Sequence, residues 1–148
     1  MSAPAVSDGA AGAKPVLRLK RTWWSVGWAL VLFISYACLS PAQYVPNLHL
    51  WDKLEHALAF LGLTLWFCGL VRLRFFPVVA LAMLLFGAGI EVAQGAMGLG
   101  RDADVWDWVG DAVGVAVALA LLYLGVFLGL GSWLSRFEQL VGLTRERA

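Results

Sequence analysis

Charge is scarce in this sequence. Asp, Glu, Lys and Arg make up 14% of its 148 residues, and 61% are hydrophobic. A soluble domain carries about 25% charged residues, so a water-soluble core is excluded. The formal net charge is only +1, and no basic patch with interleaved aromatics lies away from the ends of the apolar runs. That excludes nucleic acid as a partner. Cysteine is nearly absent: Cys38 and Cys68 fall in separate apolar runs with no metal-ligand spacing, and both read as small core residues. Ser and Thr are sparse near the polar segments described below, so no hydroxyl nucleophile stands out.

What is abundant is uninterrupted apolar sequence. Four runs, Thr22–Leu39, Asp52–Val71, Phe75–Met97 and Val105–Leu130, reach or approach the length needed to cross a bilayer, about 20 residues. They predict an all-α membrane protein of four transmembrane helices joined by short loops, filling residues 22–131 as one domain. Residues 1–21, rich in Ala, Ser, Gly and Pro before Lys14, Arg18, Lys20 and Arg21, predict a disordered tail. Residues 132–148 predict an amphipathic segment on the inner surface, with Trp133, Phe137, Leu140 and Val141 on one face and Arg136 and Glu138 elsewhere. The basic stretch before Thr22 and the run ending at Ser40-Pro41 also have the outline of a signal peptide. The run is longer than a usual h-region, however, and Tyr36 and Leu39 crowd the cleavage position.

Lys and Arg orient the spans. Arg72 and Arg74 mark the second loop and Arg136, Arg145 and Arg147 the C-terminus, whereas the first and third loops hold only Lys53 and Arg101. The positive-inside rule predicts both termini in the cytoplasm. Trp51, Trp106, Trp108 and Tyr44 would then sit at the outer interface and Trp23, Trp24 and Trp133 at the inner one.

Against this background the polar groups that border the spans stand out. An ionisable side chain near a helix centre costs about 2.5–3.5 kcal/mol on insertion scales, and such residues mark functional sites. Asp52, Lys53 and His56 open the second run, with 52 and 56 one turn apart on one face. Asp52 also suits a helix N-cap. His56 lies a turn deeper, where capping does not explain it. Glu91 and Gln94 share a face near the end of the third run; a salt bridge from Glu91 to Lys53 or Arg101 is its structural alternative. Asp104, Asp107 and Asp111 form a stripe on the fourth, where Asp104 suits a cap and Asp102 a loop. Asp111, two turns in, needs a partner. Asp52, Glu91, Asp104, Asp107 and Asp111 outnumber Lys53 and Arg101 by three, so protons or a cation must compensate. A hard divalent ion would suit oxygen ligands, but no ligand spacing marks one, and neither metal nor cofactor is expected. Gly110, Gly114 and Ala118 follow a small-xxx-small spacing that permits close helix approach, and Gly87 offers the same four residues before Glu91.

Asp52-Lys53-xx-His56, Glu91-xx-Gln94, Arg101 followed six residues later by Asp107, and Gly114, in this order, resemble the VanZ-like family of small bacterial membrane proteins. The resemblance runs from about Leu48 to Ala118, and departs at Asp111, where the family usually has Asn. It implies a multi-pass protein of the bacterial cytoplasmic membrane with a role at the cell envelope. The family takes its name from a protein encoded with glycopeptide-resistance genes and linked to lowered teicoplanin susceptibility. It does not specify a reaction.

The expected site therefore comprises Asp52, Lys53, His56, Glu91, Gln94, Arg101, Asp107 and Asp111 at the outer face. One use is binding an amphiphilic or lipid-linked molecule, with Lys53 and Arg101 meeting phosphate or carboxylate. Another is acid–base hydrolysis of an envelope lipid or precursor, with His56, Glu91 and Asp107 as the catalytic candidates. A third is a purely structural polar cap. A proton relay is disfavoured, because nothing polar continues into the opposite half of the second, third and fourth runs.

Overall fold

The computed structural model describes residues 17, 19–41, 52–97, 103–130 and 132–141. The chain is helical, with no strand among the described residues. Its elements are α1 (Lys20–Leu39), α2 (Asp52–Leu70), a 3-10 turn (Leu73–Phe75), α3 (Phe76–Met97), α4 (Val105–Phe127) and α5 (Trp133–Leu140). Three helical stretches, Lys20–Leu39, Leu73–Met97 and Val105–Phe127, are long and apolar enough to cross a membrane. α2 is of similar length but carries Lys53, Glu55 and His56 in its first turns.

Local chemistry sets the helix ends. Pro41 forbids helical geometry at the residue before it, and Ser40 is extended (φ −78°, ψ 147°), so α1 stops at Leu39. Pro77 falls in the first turn of α3, where its missing N–H has no intrahelical acceptor to lose. Asp104 caps α4 by accepting from Trp106 N at 2.8 Å. At the other end of α4, Gly129 adopts φ 69°, Leu130 N donates to Gly125 O and Gly129 N donates to Val126 O. That is a Schellman stop, and it ends the helix at Phe127 rather than at Leu130 as the hydropathy predicts. At the amino end α1 already includes Lys20 and Arg21, which the composition assigns to the tail. The rest of that tail, apart from residues 17 and 19, lies outside the described residues.

The four long helices run up and down, with α2 at the centre. Phe60, Leu63, Phe67 and Cys68 of α2 are buried together with Met83 and Ile90 of α3 and Val115 and Ala118 of α4. Lipid tails are as apolar as Leu, so helix association in a bilayer depends on close packing more than on expelling water. The α2–α4 seam shows this directly. A Cβ on Gly110 would sit 2.8 Å from Lys53 O, and one on Gly114 would overlap Ala57 O. Large apolar side chains instead face outward, among them Leu32 and Phe33 of α1, Leu85 and Val92 of α3, and Val113 and Leu124 of α4. Polar groups inside and apolar groups outside are what a bilayer environment demands.

α5 closes the end opposite the polar segments. Ser132 Oγ donates to Gly69 O, and Leu134 is fully buried. The face turned to the bundle is Leu134, Ser135 and Glu138, while Phe137, Leu140 and Val141 are exposed. Glu138, which the helical-face reading places away from contact, is sealed inside. It accepts from Trp23 Nε1 at 2.6 Å and from Leu19 N at 3.2 Å.

Candidate functional site

The polar end of the bundle is built from the start of α2, the end of α3 and the start of α4, with the end of α1 alongside. Lys53, in the first turn of α2, donates from Nζ to Asp104 Oδ2 at 2.8 Å and to Asp107 Oδ1 at 3.0 Å. The clamp joins α2 to both the cap and the first turn of α4. Asp104, just outside the helix, has its carboxyl held below the ordinary range, first by the Lys53 ammonium and then by the Trp106 N–H. The short approach of α2 to α4 at Gly110 is what brings the lysine within reach.

One turn deeper, His56 Nδ1 lies 2.9 Å from Asp111 Oδ1. Both are buried, His56 at 6% exposure and Asp111 at 0%. This supplies the partner that Asp111 requires, and it joins the two deepest residues of the cluster on α2 and α4. Gly87 of α3 lies against the same carboxylate: a Cβ there would overlap Asp111 Oδ2 and lie 3.3 Å from the Phe60 ring.

Glu91 Oε2 accepts from the backbone N of Asp104 at 2.8 Å, tying α3 to the entry of α4. The anticipated ion pair with Lys53 is not formed, because Lys53 is engaged by Asp104 and Asp107; the anticipated partner Arg101 lies outside the described residues. Glu91 nevertheless sits within electrostatic reach of His56, Asp107 and Asp111. Gln94 turns towards α1, where its Nε2 donates to Cys38 O at 2.9 Å. That carbonyl belongs to the last turn of α1, where intrahelical donors run out.

Six of the eight expected residues, Lys53, His56, Glu91, Gln94, Asp107 and Asp111, thus meet at one end of the bundle. Asp52 opens α2, but its side chain and Arg101 lie outside the described residues. Asp104 is the residue the sequence undervalues. Its cap spacing is plain, yet it also takes a share of Lys53 and passes its N–H to Glu91. The signal available was its i, i+3 relation to Asp107.

Among the described residues, the buried side-chain atoms left without a hydrogen bond are all acceptors. Glu91 Oε1, Gln94 Oε1 and Asp111 Oδ2 are occluded and have no hydrogen-bond partner. All three are acceptors on residues with 8%, 4% and 0% exposure. Leaving a buried polar atom unpaired costs about 1–3 kcal/mol, and more for a charged group. Among the described residues no three His, Cys, Asp or Glu side chains converge as a metal cage. What the arrangement offers is surplus acceptor capacity beside a carboxylate-held imidazole. Comparison with protein-family models, curated proteins and solved structures gives no match.

Proposed function

We propose that the chain is a four-span protein of a bacterial cytoplasmic membrane, with α2 as the fourth span, both termini in the cytoplasm and the polar cluster at the extracytoplasmic face. The cluster binds the headgroup of an amphiphilic or lipid-linked envelope molecule. The observation that carries this reading is the set of three occluded acceptors, Glu91 Oε1, Gln94 Oε1 and Asp111 Oδ2. Their chemistry calls for a ligand that donates hydrogen bonds, an amine or a hydroxyl-rich head. Lys53 is already committed to two aspartates, so a phosphate held by Lys53 is the weaker variant. The motif resemblance to the VanZ-like family and the loop charges support the same placement.

The test is co-purification. Wild-type protein and Glu91→Gln are isolated from their own membranes in mild detergent, and the retained amphiphiles are identified by mass spectrometry. Glu91→Gln keeps an oxygen for Asp104 N and replaces the charged acceptor. A species held by wild type and reduced about tenfold or more in the variant is expected, as for losing a charge-assisted hydrogen bond. Identical retained species would leave the cluster as a structural cap.

The His56–Asp111 pair favours a second reading, acid–base hydrolysis of an envelope lipid or precursor. A buried carboxylate that orients an imidazole is the arrangement of general-base catalysts. The nucleophile would be water activated by His56, since the buried hydroxyl of Thr64 is turned to Phe60 O two turns below His56. Envelope lipids would be profiled in a deletion strain complemented with wild type or His56→Gln at matched abundance, since His56 is the base this reading requires. A species consumed only with wild type would establish turnover; identical profiles would remove the enzyme reading.

A further inference from the structure

A groove of about 530 Å³ opens at the other end of the molecule, between α2, α4 and α5. Its volume falls in the range of small-ligand sites, about 300–1,000 Å³. Gly62 of α2 and Gly125 of α4 help line it, and a Cβ on either would meet no neighbouring atom within 4 Å. Trp66 and Trp133 form an aromatic wall, their rings 5.7 Å apart at 64°. Both indole N–H groups are turned into the protein, Trp66 Nε1 to Trp23 O and Trp133 Nε1 to Leu65 O. The groove is therefore left with apolar ring surface and no indole donor.

One charge interrupts this lining. Arg136, on the exposed side of α5, borders the groove, and no ion pair occupies its guanidinium among the described residues. Glu138, two residues on, is turned inward to Trp23 and Leu19. An apolar groove bordered by Arg136, which no carboxylate among the described residues engages, is complementary to a molecule with an apolar tail and an anionic head.

We propose that this groove holds one acyl chain of an anionic phospholipid, its phosphate paired with Arg136. Arg suits that role because its planar fork engages phosphate oxygens in a bidentate fashion. The site is separate from the polar cluster and does not depend on what that cluster binds. Lipid held here would join α5 to the α2–α4 pair by contacts with all three.

Native mass spectrometry of the full chain in mild detergent tests this, with phosphatidylglycerol and phosphatidylcholine of matched chains as probes. Wild type is expected to retain one phosphatidylglycerol about five- to tenfold more strongly than phosphatidylcholine. Arg136→Gln should erase the preference. Gly125→Leu, which adds a side chain to the groove wall at a position whose Cβ meets no neighbouring atom within 4 Å, should weaken both lipids, while Glu91→Gln at the distant cluster should leave retention unchanged. Equal retention of the two lipids by wild type, or undiminished retention by both Arg136→Gln and Gly125→Leu, would overturn the proposal.

Discussion

The deepest pair, His56 and Asp111, separates two ideas about what an ionisable residue does here. If the pair holds the bundle together as a couple, removing one member leaves the other buried and unmatched, at a cost of about 3–5 kcal/mol. His56→Ala does that to Asp111, which is fully buried. Asp111→Asn does not, since the amide keeps the shape and an oxygen for His56 while removing one of the excess negative charges. We expect His56→Ala to lower stability by about 3 kcal/mol and Asp111→Asn to stay within about 1 kcal/mol of wild type, measured by detergent-induced unfolding in mixed micelles. An equal loss in both would mean that the charge at position 111, and not only its shape, supports the fold. At the rim, Asp104 has a lowered carboxyl pKa, set chiefly by Lys53. Its contribution is therefore complete above the ordinary value of 3.8 and is lost as pH falls through the lower folded value. In a carboxyl-¹³C titration from neutral pH downward, the Asp104 signal should move below 3.8 in wild type and return towards it in Lys53→Met. An unchanged midpoint in that variant would assign the effect to the Trp106 cap.

Elements were largely legible in the sequence, and their ends and partners less so. Length and hydropathy locate every long helix within a few residues, because a span is a long, strong and local signal. The stop at Phe127 escaped because a left-handed glycine, not a polar residue, ends α4. Glu138 escaped for another reason: eight residues of α5 read amphipathic by the side that meets lipid, while the side that meets protein is chosen by Trp23 and Leu19, over a hundred residues away in sequence. The small-residue spacing on α4 was readable, but only packing reveals that it faces the α2 backbone. Gly114→Ala places a methyl on Ala57 O, with Leu61 N at 2.9 Å, all main-chain atoms that cannot rotate aside. It should cost about 3 kcal/mol or more and push α2 from α4, disrupting the Lys53 clamp. Gly62→Ala, with open space around it, should be neutral or gain up to about 1 kcal/mol from helix propensity. Thermal unfolding of both in one detergent gives the comparison; similar midpoints would mean that the seam is looser than these contacts require.

At the scale of the whole molecule, the contacts place the starts of α2 and α4 and the end of α3 together, and the start of α1, the end of α2 and α5 together at the opposite end. In the proposed topology the α5 end faces the cytoplasm, as the positive-inside rule expects with Arg72, Arg74 and Arg136 at the α5 end and Lys53 at the other. Four spans require α2 to cross despite its polar opening, and the clamp explains how: Lys53 and His56 are paired against α4 rather than offered to lipid. Single cysteines at Arg21, Arg72, Ala103 and Arg136, in a chain whose Cys38 and Cys68 are replaced by Ala, test the arrangement with an impermeant maleimide on intact cells. All four positions are exposed. Ala103 should label from outside, and the other three only after the membrane is opened. If α2 lay on the surface instead of crossing, α3 and α4 would reverse relative to α1. Ala103 would then be protected while Arg72 and Arg136 labelled, and Lys53 and His56 could not reach Asp104, Asp107 and Asp111 across the membrane, so the cluster itself would not form.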